Sequence, residues 1–224
     1  MKSNYVIAQS PLFHRFWRTG VFTGLLGLAT ISVYAAADLG KAGGLWSQSV
    51  ALEAKADYKG AITKMGEFSR TGADPYLASL RVGWLALQNK DYDQAIANYQ
   101  AAAGRTPTSI TPLLGLASAY RAKGDNDNAE HACRSILSHD PGNATALQML
   151  GTIYFDKKDY QNASIIYDSI LRLNPEDTTA LSGYGWAQIY LNHKANAIPE
   201  FQRLLILSPT YQYAQEGYTA AITP

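Results

Sequence analysis

The sequence has little charge and almost no cysteine. Of its 224 residues, 17% are charged, and 19 Lys and Arg nearly balance 18 Asp and Glu, so the net charge is +1. This disfavours a nucleic-acid partner, because proteins that bind nucleic acid present a strongly basic surface. The one cysteine, Cys133, cannot form an intramolecular disulfide. The hydrophobic core must therefore hold the fold by itself.

The first 37 residues contain no Asp or Glu. Three basic residues come first, Lys2, Arg15 and Arg18, followed by an apolar run over 21–34 and by Ala35-Ala36-Ala37. This order of basic, apolar and small residues is typical of a secretory signal, so we expect residues 1–37 to be a signal peptide cleaved after Ala37. A retained signal anchor is the alternative, although the run is short for a span of about 20 residues. Only the retained form would contact a membrane.

A period of 34 residues organises the rest of the chain. Short segments that begin at Asp57, Asp91, Asp125 and Asp159 resemble one another, as in DYKGAI and DYDQAI. Four further columns have the same period: an alanine, a small residue, a large or soft side chain, and a proline. The alanines are Ala61, Ala95, Ala129, Ala163 and Ala197, and the small residues are Ser49, Gly83, Ala117, Gly151 and Gly185. The large or soft side chains are Met65, Tyr99, Cys133, Tyr167 and Phe201, and the prolines are Pro107, Pro141, Pro175 and Pro209.

Each period reads as two helices joined by a polar turn. Apolar residues recur at helical spacing within 144–156 and again within 161–173, and the charged run 156–159 separates the two stripes. Asn143, Asp177 and Asp74 are predicted to cap first helices, because a short side-chain oxygen accepts from orphan N–H groups. The late proline of each period is predicted to stop the second helix.

The pattern resembles the tetratricopeptide repeat, a 34-residue helix–turn–helix unit. The resemblance covers about residues 42–211 and implies an all-α, right-handed superhelical solenoid, since one helical hairpin cannot bury its own apolar face. Five repeats are predicted: 42–75, 76–109, 110–143, 144–177 and 178–211. The first is degenerate, with Gln48 at an apolar place, and Pro199 is expected to shorten or kink the second helix of the fifth. Residues 38–41 are predicted to be a short linker, and 212–224 a C-terminal capping helix with Tyr213, Gly217, Tyr218 and Ala221 towards the last repeat.

The residues that could support catalysis do not form a recognisable motif. His131 and Cys133 are two positions apart on a predicted helix and so face different ways. Neither Cys-x-x-Cys nor a histidine pair at i, i+4 occurs, so we expect no metal and no cofactor. Cys133 stands in the column that Tyr or Phe fills elsewhere, so we interpret it as a core residue. An enzyme that uses Cys133 remains a disfavoured alternative.

The resemblance also implies a place for a partner. In this family the first helix of each repeat lines a concave groove, and large side chains of this chain stand at groove positions. Trp, Tyr and Arg supply much of the binding energy at protein interfaces, so we interpret these positions as a partner site. The alternative is that they only pack on neighbouring helices. The candidates are Trp46, Arg81, Trp84, Gln88, Arg121, Gln148, Met149, Phe155, Asp156, Trp186 and Tyr190.

The function expected from this resemblance is a non-catalytic scaffold or adaptor in the bacterial cell envelope, exported to the periplasm. It would hold protein components of an assembly such as a secretion, pilus, polysaccharide-export or outer-membrane complex. The lysines and asparagines of the family's carboxylate clamp are absent from the groove positions, which disfavours capture of chaperone tails. A carbohydrate-binding module, with Trp84, Trp186 and Tyr190 stacking on sugar rings, is the second hypothesis.

Overall fold

The computed structural model describes residues 33–223, with side chains from Leu39 onward. These residues form eleven helices and no strand, and the compact unit to which the repeats belong begins at Ala37. The helices are α1 (Val33–Glu53), α2 (Tyr58–Arg70), α3 (Pro75–Gln88), α4 (Tyr92–Arg105), α5 (Ile110–Lys123), α6 (Asn126–His139), α7 (Ala144–Asp156), α8 (Tyr160–Leu173), α9 (Thr178–Tyr190), α10 (Lys194–Leu207) and α11 (Gln212–Ile222).

Each helix from α2 onward packs against the next one along the chain. Contacts also join first helices of neighbouring units, namely α3 with α5, α7 with α9, and α9 with α11. This is the nearest-neighbour packing of a solenoid. The fold predicted from the 34-residue period is therefore confirmed. The helix predicted over 144–156 has these bounds, and the one predicted over 161–173 begins one residue earlier, at Tyr160.

The aspartate column caps the second helices. Asp57, Asp91, Asp125 and Asp159 each accept a hydrogen bond from the backbone N–H three residues later. All five second helices, including α10, are preceded two places earlier by a residue with a positive φ. These residues recur at 34-residue intervals, at Ala56, Lys90, Gly124, Lys158 and Asn192. The turn is thus the same in every repeat, although one repeat alone supplies the glycine that this conformation favours.

The helix ends follow the predicted signals. Asn143, Asp177 and Asp74 cap the helices that follow them. Second helices α4, α6, α8 and α10 each end two residues before the late proline of the repeat. Pro199 does not shorten α10, which has the same fourteen residues as α4, α6 and α8, so that part of the prediction was wrong. The flanking packing, with Ala197 and Phe201 fully buried, holds the helix together around the proline.

The core consists of the periodic columns. The column alanines, the small-residue column and the large or soft column, which includes Cys133, are all buried. The capping helix α11 buries Ala214, Gly217 and Ala221 against the last repeat. Tyr213 was predicted on that face and is instead 56% exposed, because Ala214 takes the inward position of the turn.

The N-terminal predictions fall mostly outside the described residues. This holds for the signal or anchor over 1–37, of which only 33–37 belong to the described helix α1. The predicted linker 38–41 also lies inside α1, which has no proline over 33–53. Within the described part of the chain, no helix is both long and apolar enough to cross a membrane.

Candidate functional site

The predicted groove residues separate into two groups with different surroundings. One group lies on α1 and α3, at the N-terminal end of the array. The other lies on α7 and α9, in repeats four and five. Between them, Gln88, Arg121, Gln148 and Met149 are half-buried polar or flexible side chains.

The N-terminal group is held by contacts within the protein. Arg81 is 1% exposed, and its Nη2 lies 2.6 Å from Oε2 of Glu53 at the end of α1. The indole N–H of Trp84 donates to the other oxygen of the same carboxylate at 2.9 Å. The Arg81 guanidinium also lies 5.6 Å from the ring centre of Trp46, which packs edge-on against Phe68. These side chains fasten α1 to α2 and α3.

Arg81 is therefore a buried packing residue, and the prediction that it faces a partner in the groove was wrong. A buried guanidinium requires a paired carboxylate, and Glu53 supplies it. Sequence reasoning missed Glu53, although it occupies a groove position on α1, the first helix of the repeat before that of Arg81. Trp46 and Trp84 stay half-buried, with part of each ring engaged in the same cluster.

The polar side chains in the middle of the array connect one first helix to the next one or to the residue that caps it. Arg121 lies 3.4 Å from the carboxylate of Asp156, and the Gln148 amide donates to Asp177 at 3.0 Å. A neighbouring row of ion pairs joins Lys123 to Asp93, and Lys157 to Asp127 one repeat later, each at 2.6 Å. Such exposed pairs contribute little to stability, because solvent screens them. Their main effect on the surface is to neutralise the charges there.

The C-terminal group forms a cluster of four aromatic side chains, Phe155, Tyr160, Trp186 and Tyr190, which we call the aromatic ledge. Tyr160 and Tyr190 stack with ring centres 4.5 Å apart and planes inclined by 16°. Phe155 meets Tyr190 edge-on at 5.8 Å, and Trp186 lies 6.1 Å from Tyr190 at 32°. The ledge thus joins the C-terminal ends of α7 and α9 to the start of α8.

The ledge is anchored at one end and open at the other. Trp186 packs edge-on against Phe201, which is fully buried in the core. Tyr190 is 54% exposed, the other three rings are partly exposed, and Phe155 also contacts Tyr160 at 5.3 Å. Such a partly exposed group of fixed rings presents apolar surface to a partner at little cost in side-chain entropy.

The polar atoms of the ledge are hydrogen-bond donors without internal acceptors. Within the described structure, the hydroxyls of Tyr160 and Tyr190 and the indole N–H of Trp186 make no hydrogen bond. Partial burial, and then the neighbouring Tyr190, raise the pKa of Tyr160, so its hydroxyl stays protonated at neutral pH. Sequence reasoning found the other three ledge residues and missed Tyr160, which follows the capping aspartate and was read only as part of the turn.

The candidate nucleophile and the histidines occupy unsuitable places for catalysis. Cys133 is fully buried, and burial raises the pKa of its thiol to about 12, so almost no thiolate is present at neutral pH. His131, His139 and His193 are exposed. Among the described residues, no three His, Cys, Asp or Glu side chains come together as a metal site would require.

A comparison with protein families decides the class. The profile described as tetratricopeptide repeat matches residues 86–131 and 120–185. Residues 86–185 therefore carry tetratricopeptide repeats. Repeats of this family are generally non-catalytic scaffolds for protein–protein interaction, and the ledge lies on repeats four and five, partly inside the matched region. No curated protein sequence matches the chain.

Solved structures of tetratricopeptide-repeat proteins share the fold at low identity. One from Parabacteroides merdae is 22% identical, with a TM-score of 0.72, over 81% of this chain and 72% of that one. MamA of Desulfovibrio magneticus is 16% identical, with a TM-score of 0.68, over 76% and 97%. A thermophilic protein of Thermus thermophilus is 18% identical, with a TM-score of 0.53, over 81% and 98%. These similarities support the fold and leave the partner open.

Proposed function

We propose that this protein is an adaptor of the bacterial cell envelope that binds a segment of a partner protein at the aromatic ledge. Residues 1–37 would export it to the periplasm or anchor it in the inner membrane. The observation that supports the site is the ledge itself, since four contacting aromatic rings remain partly exposed at the surface of the array. Interfaces concentrate their binding energy in such residues.

The two groups of groove candidates differ in what they can offer a partner. Arg81 is buried, and Trp84 is bound to Glu53, so the N-terminal group already has internal partners. The charged side chains between the groups are paired with one another. The ledge carries exposed apolar area and unused donors, so we place the adaptor's partner site on repeats four and five.

The adaptor function is tested by affinity capture from envelope extract with the full chain. Tyr190→Ala removes the most exposed ring of the ledge, and Tyr213→Ala is its matched control, because Tyr213 is 56% exposed and lies on α11. We expect one partner protein to be retained by the native chain and by Tyr213→Ala, and lost with Tyr190→Ala. Equal retention by all three would move the site away from the ledge, and no specific protein in any of them would contradict the adaptor function.

The envelope location is tested separately with a chain tagged at its C terminus. Fractionation and mass spectrometry of the purified protein should find it in the periplasm beginning near residue 38, or in the inner membrane with residues 1–37 retained. An intact chain in the cytoplasm would contradict the proposed location.

A further inference from the structure

We propose that the protein forms a two-fold symmetric homodimer through an aliphatic patch at the C-terminal ends of α8 and α10. The patch consists of Leu173, Ile206 and Leu207, which are all exposed. Ile206, at 79%, is the most exposed of the large hydrophobic side chains in the described part of the chain. A contiguous group of exposed apolar side chains typically marks an interaction site.

The structure brings the ends of these two helices together. Leu173 is the last residue of α8 and Leu207 the last of α10, at equivalent positions of consecutive repeats. The Arg203 guanidinium on α10 donates to the carbonyl oxygen of Pro175, just after α8, at 2.7 Å. Ile206 and Leu207 line one shallow depression together with Arg203. The three aliphatic side chains therefore belong to one surface.

The patch is confined to the last two repeats. At the position of its two leucines, repeats two and three carry Arg105 and His139 instead. The core does not take up these side chains, because Leu204 already fills the inward position in the last turns of α10. An apolar row along the whole array would suit a long ligand that follows the repeats. A short patch at one end suits a compact contact with a second molecule.

The charged side chains around the patch favour a second copy of the chain as that molecule. Glu176 lines the same depression as Ile206, and among the described residues its carboxylate makes no ion pair. Arg203, also on this depression, has only a 3.5 Å pair with Glu200. A two-fold axis at Ile206 would set each Glu176 against the partner's Arg203, so the surface complements itself. A partner that carries one sign of charge would leave one of these groups unmatched.

Dimerisation through the patch leaves the aromatic ledge accessible. The ledge lies where first helices end, whereas the patch lies where second helices end. Because the two helices of a hairpin are antiparallel, these ends lie on opposite edges of the array. Each dimer therefore presents two free ledges, and a partner with two binding segments gains affinity through avidity. The dimer itself does not depend on the proposed adaptor function.

Sedimentation velocity of the full chain over a concentration series tests the dimer, in density-matched detergent if residues 1–37 are retained. We expect a reversible monomer–dimer equilibrium. Ile206→Glu should give a monomer at concentrations where the native chain is a dimer, because it would bury two unpaired charges. Val50→Glu is the matched control, since Val50 is an exposed aliphatic residue on α1, and it should leave the equilibrium unchanged. Thermal melting confirms that each variant is folded.

A charge exchange tests whether the occupant is a second copy. Glu176→Arg should weaken the dimer about tenfold or more, because it sets like charges opposite one another. Adding Arg203→Glu should restore most of the association. A folded double variant that dissociates as far as Glu176→Arg alone would overturn the inference.

Two results of the sedimentation series would also overturn the inference. The first is a native chain that stays monomeric at every concentration, and capture of another protein that depends on Ile206 would then assign the patch to that protein. The second is a dimer that Ile206→Glu leaves intact. If capture at the ledge fails while the dimer persists, the adaptor function falls and the dimer stands.

Discussion

The ring of Tyr167 lies against Gly183 of the next repeat so closely that a β-carbon on Gly183 would stand 2.4 Å from Cζ of that ring. On its other side the same ring lies against Gly151 of its own repeat, where a β-carbon would stand 2.8 Å from it. Each aromatic of this column occupies the same place, with Tyr99 between Gly83 and Gly115, and Phe201 between Gly185 and Gly217. Paired glycines therefore make room for the ring that joins two repeats.

Where a repeat has no aromatic residue in this column, the glycine that would face the ring from the next repeat is also absent. In repeat three, Cys133 occupies the aromatic position, and Met149 occupies the glycine position of repeat four. In repeat one, Met65 occupies the aromatic position, and Arg81 occupies the glycine position of repeat two. In both cases a larger residue on the neighbouring helix accompanies the smaller residue in the column. We expect the two to compensate in volume, and Arg81 is buried at this place although its repeat position predicts a groove residue.

Gly183→Ala should destabilise the protein by about 1–3 kcal/mol, since the added methyl overpacks the Tyr167 ring. Gly66→Ala is the matched control, because a β-carbon there meets nothing within 4 Å. It should stabilise α2 by about 0.5–1 kcal/mol through its higher helix propensity. Urea unfolding measures both. Equal effects of the two substitutions would show that the glycines are not there to receive the rings.

Cys133→Tyr should destabilise the protein by about 1–3 kcal/mol, because Met149 fills part of the space that the ring needs. Combining it with Met149→Gly should cost less than the sum of the two single changes, since the second substitution makes room for the ring. A double-mutant cycle by denaturant unfolding measures this coupling. Additive effects would contradict the compensation between these two columns.

The fold was predictable because the same interactions recur every 34 residues. The helix pairs, the aspartate and asparagine caps and the end of each second helix before its proline all follow local rules that the sequence displays repeatedly. Pro199 was an exception, because the buried side chains around it keep α10 continuous. On α11, Gly217 and Ala221 are buried as predicted, and Tyr213 alone of the predicted inward residues is exposed.

The candidate site was only partly predictable, because exposure depends on side chains from other repeats. The repeat position of Arg81 gives no sign that Glu53 would pair with it, since 28 residues separate them. Tyr160 joins the ledge only because the fold stacks it on Tyr190. Trp186 and Tyr190 were correctly placed near one another, since they lie on one helix at i, i+4 spacing.

Cys133 should react with a maleimide only when the protein unfolds. The side chain is fully buried, and burial raises the pKa of the thiol to about 12. The labelling rate in the native state should follow the unfolding equilibrium across a urea titration. Rapid stoichiometric labelling in buffer would contradict the core assignment and would reopen a reactive role for this thiol.

Glu130→Gln should lower stability at neutral pH and leave the protein less sensitive to acid. Hydrogen bonds from Lys157, Tyr154 and Arg134 hold the pKa of Glu130 below its ordinary value of 4.5. The folded state thus favours the ionised carboxylate, which stabilises the protein above pH 4.5 and loses this effect as the pH falls through the lowered pKa. Melting temperatures should differ most near pH 7 and converge in acid. A constant difference would exclude this contribution.

The central claim, that the aromatic ledge binds a partner protein, is tested most directly by photo-crosslinking in the native cell. A photoreactive phenylalanine analogue replaces Tyr190 in one strain and Tyr213 in another, since the two side chains are similarly exposed, at 54% and 56%, and lie on different helices. The account predicts an adduct with one partner protein from position 190 and none from position 213. Adducts from position 213 alone, or no protein adduct from position 190 in a chain that still functions, would contradict it.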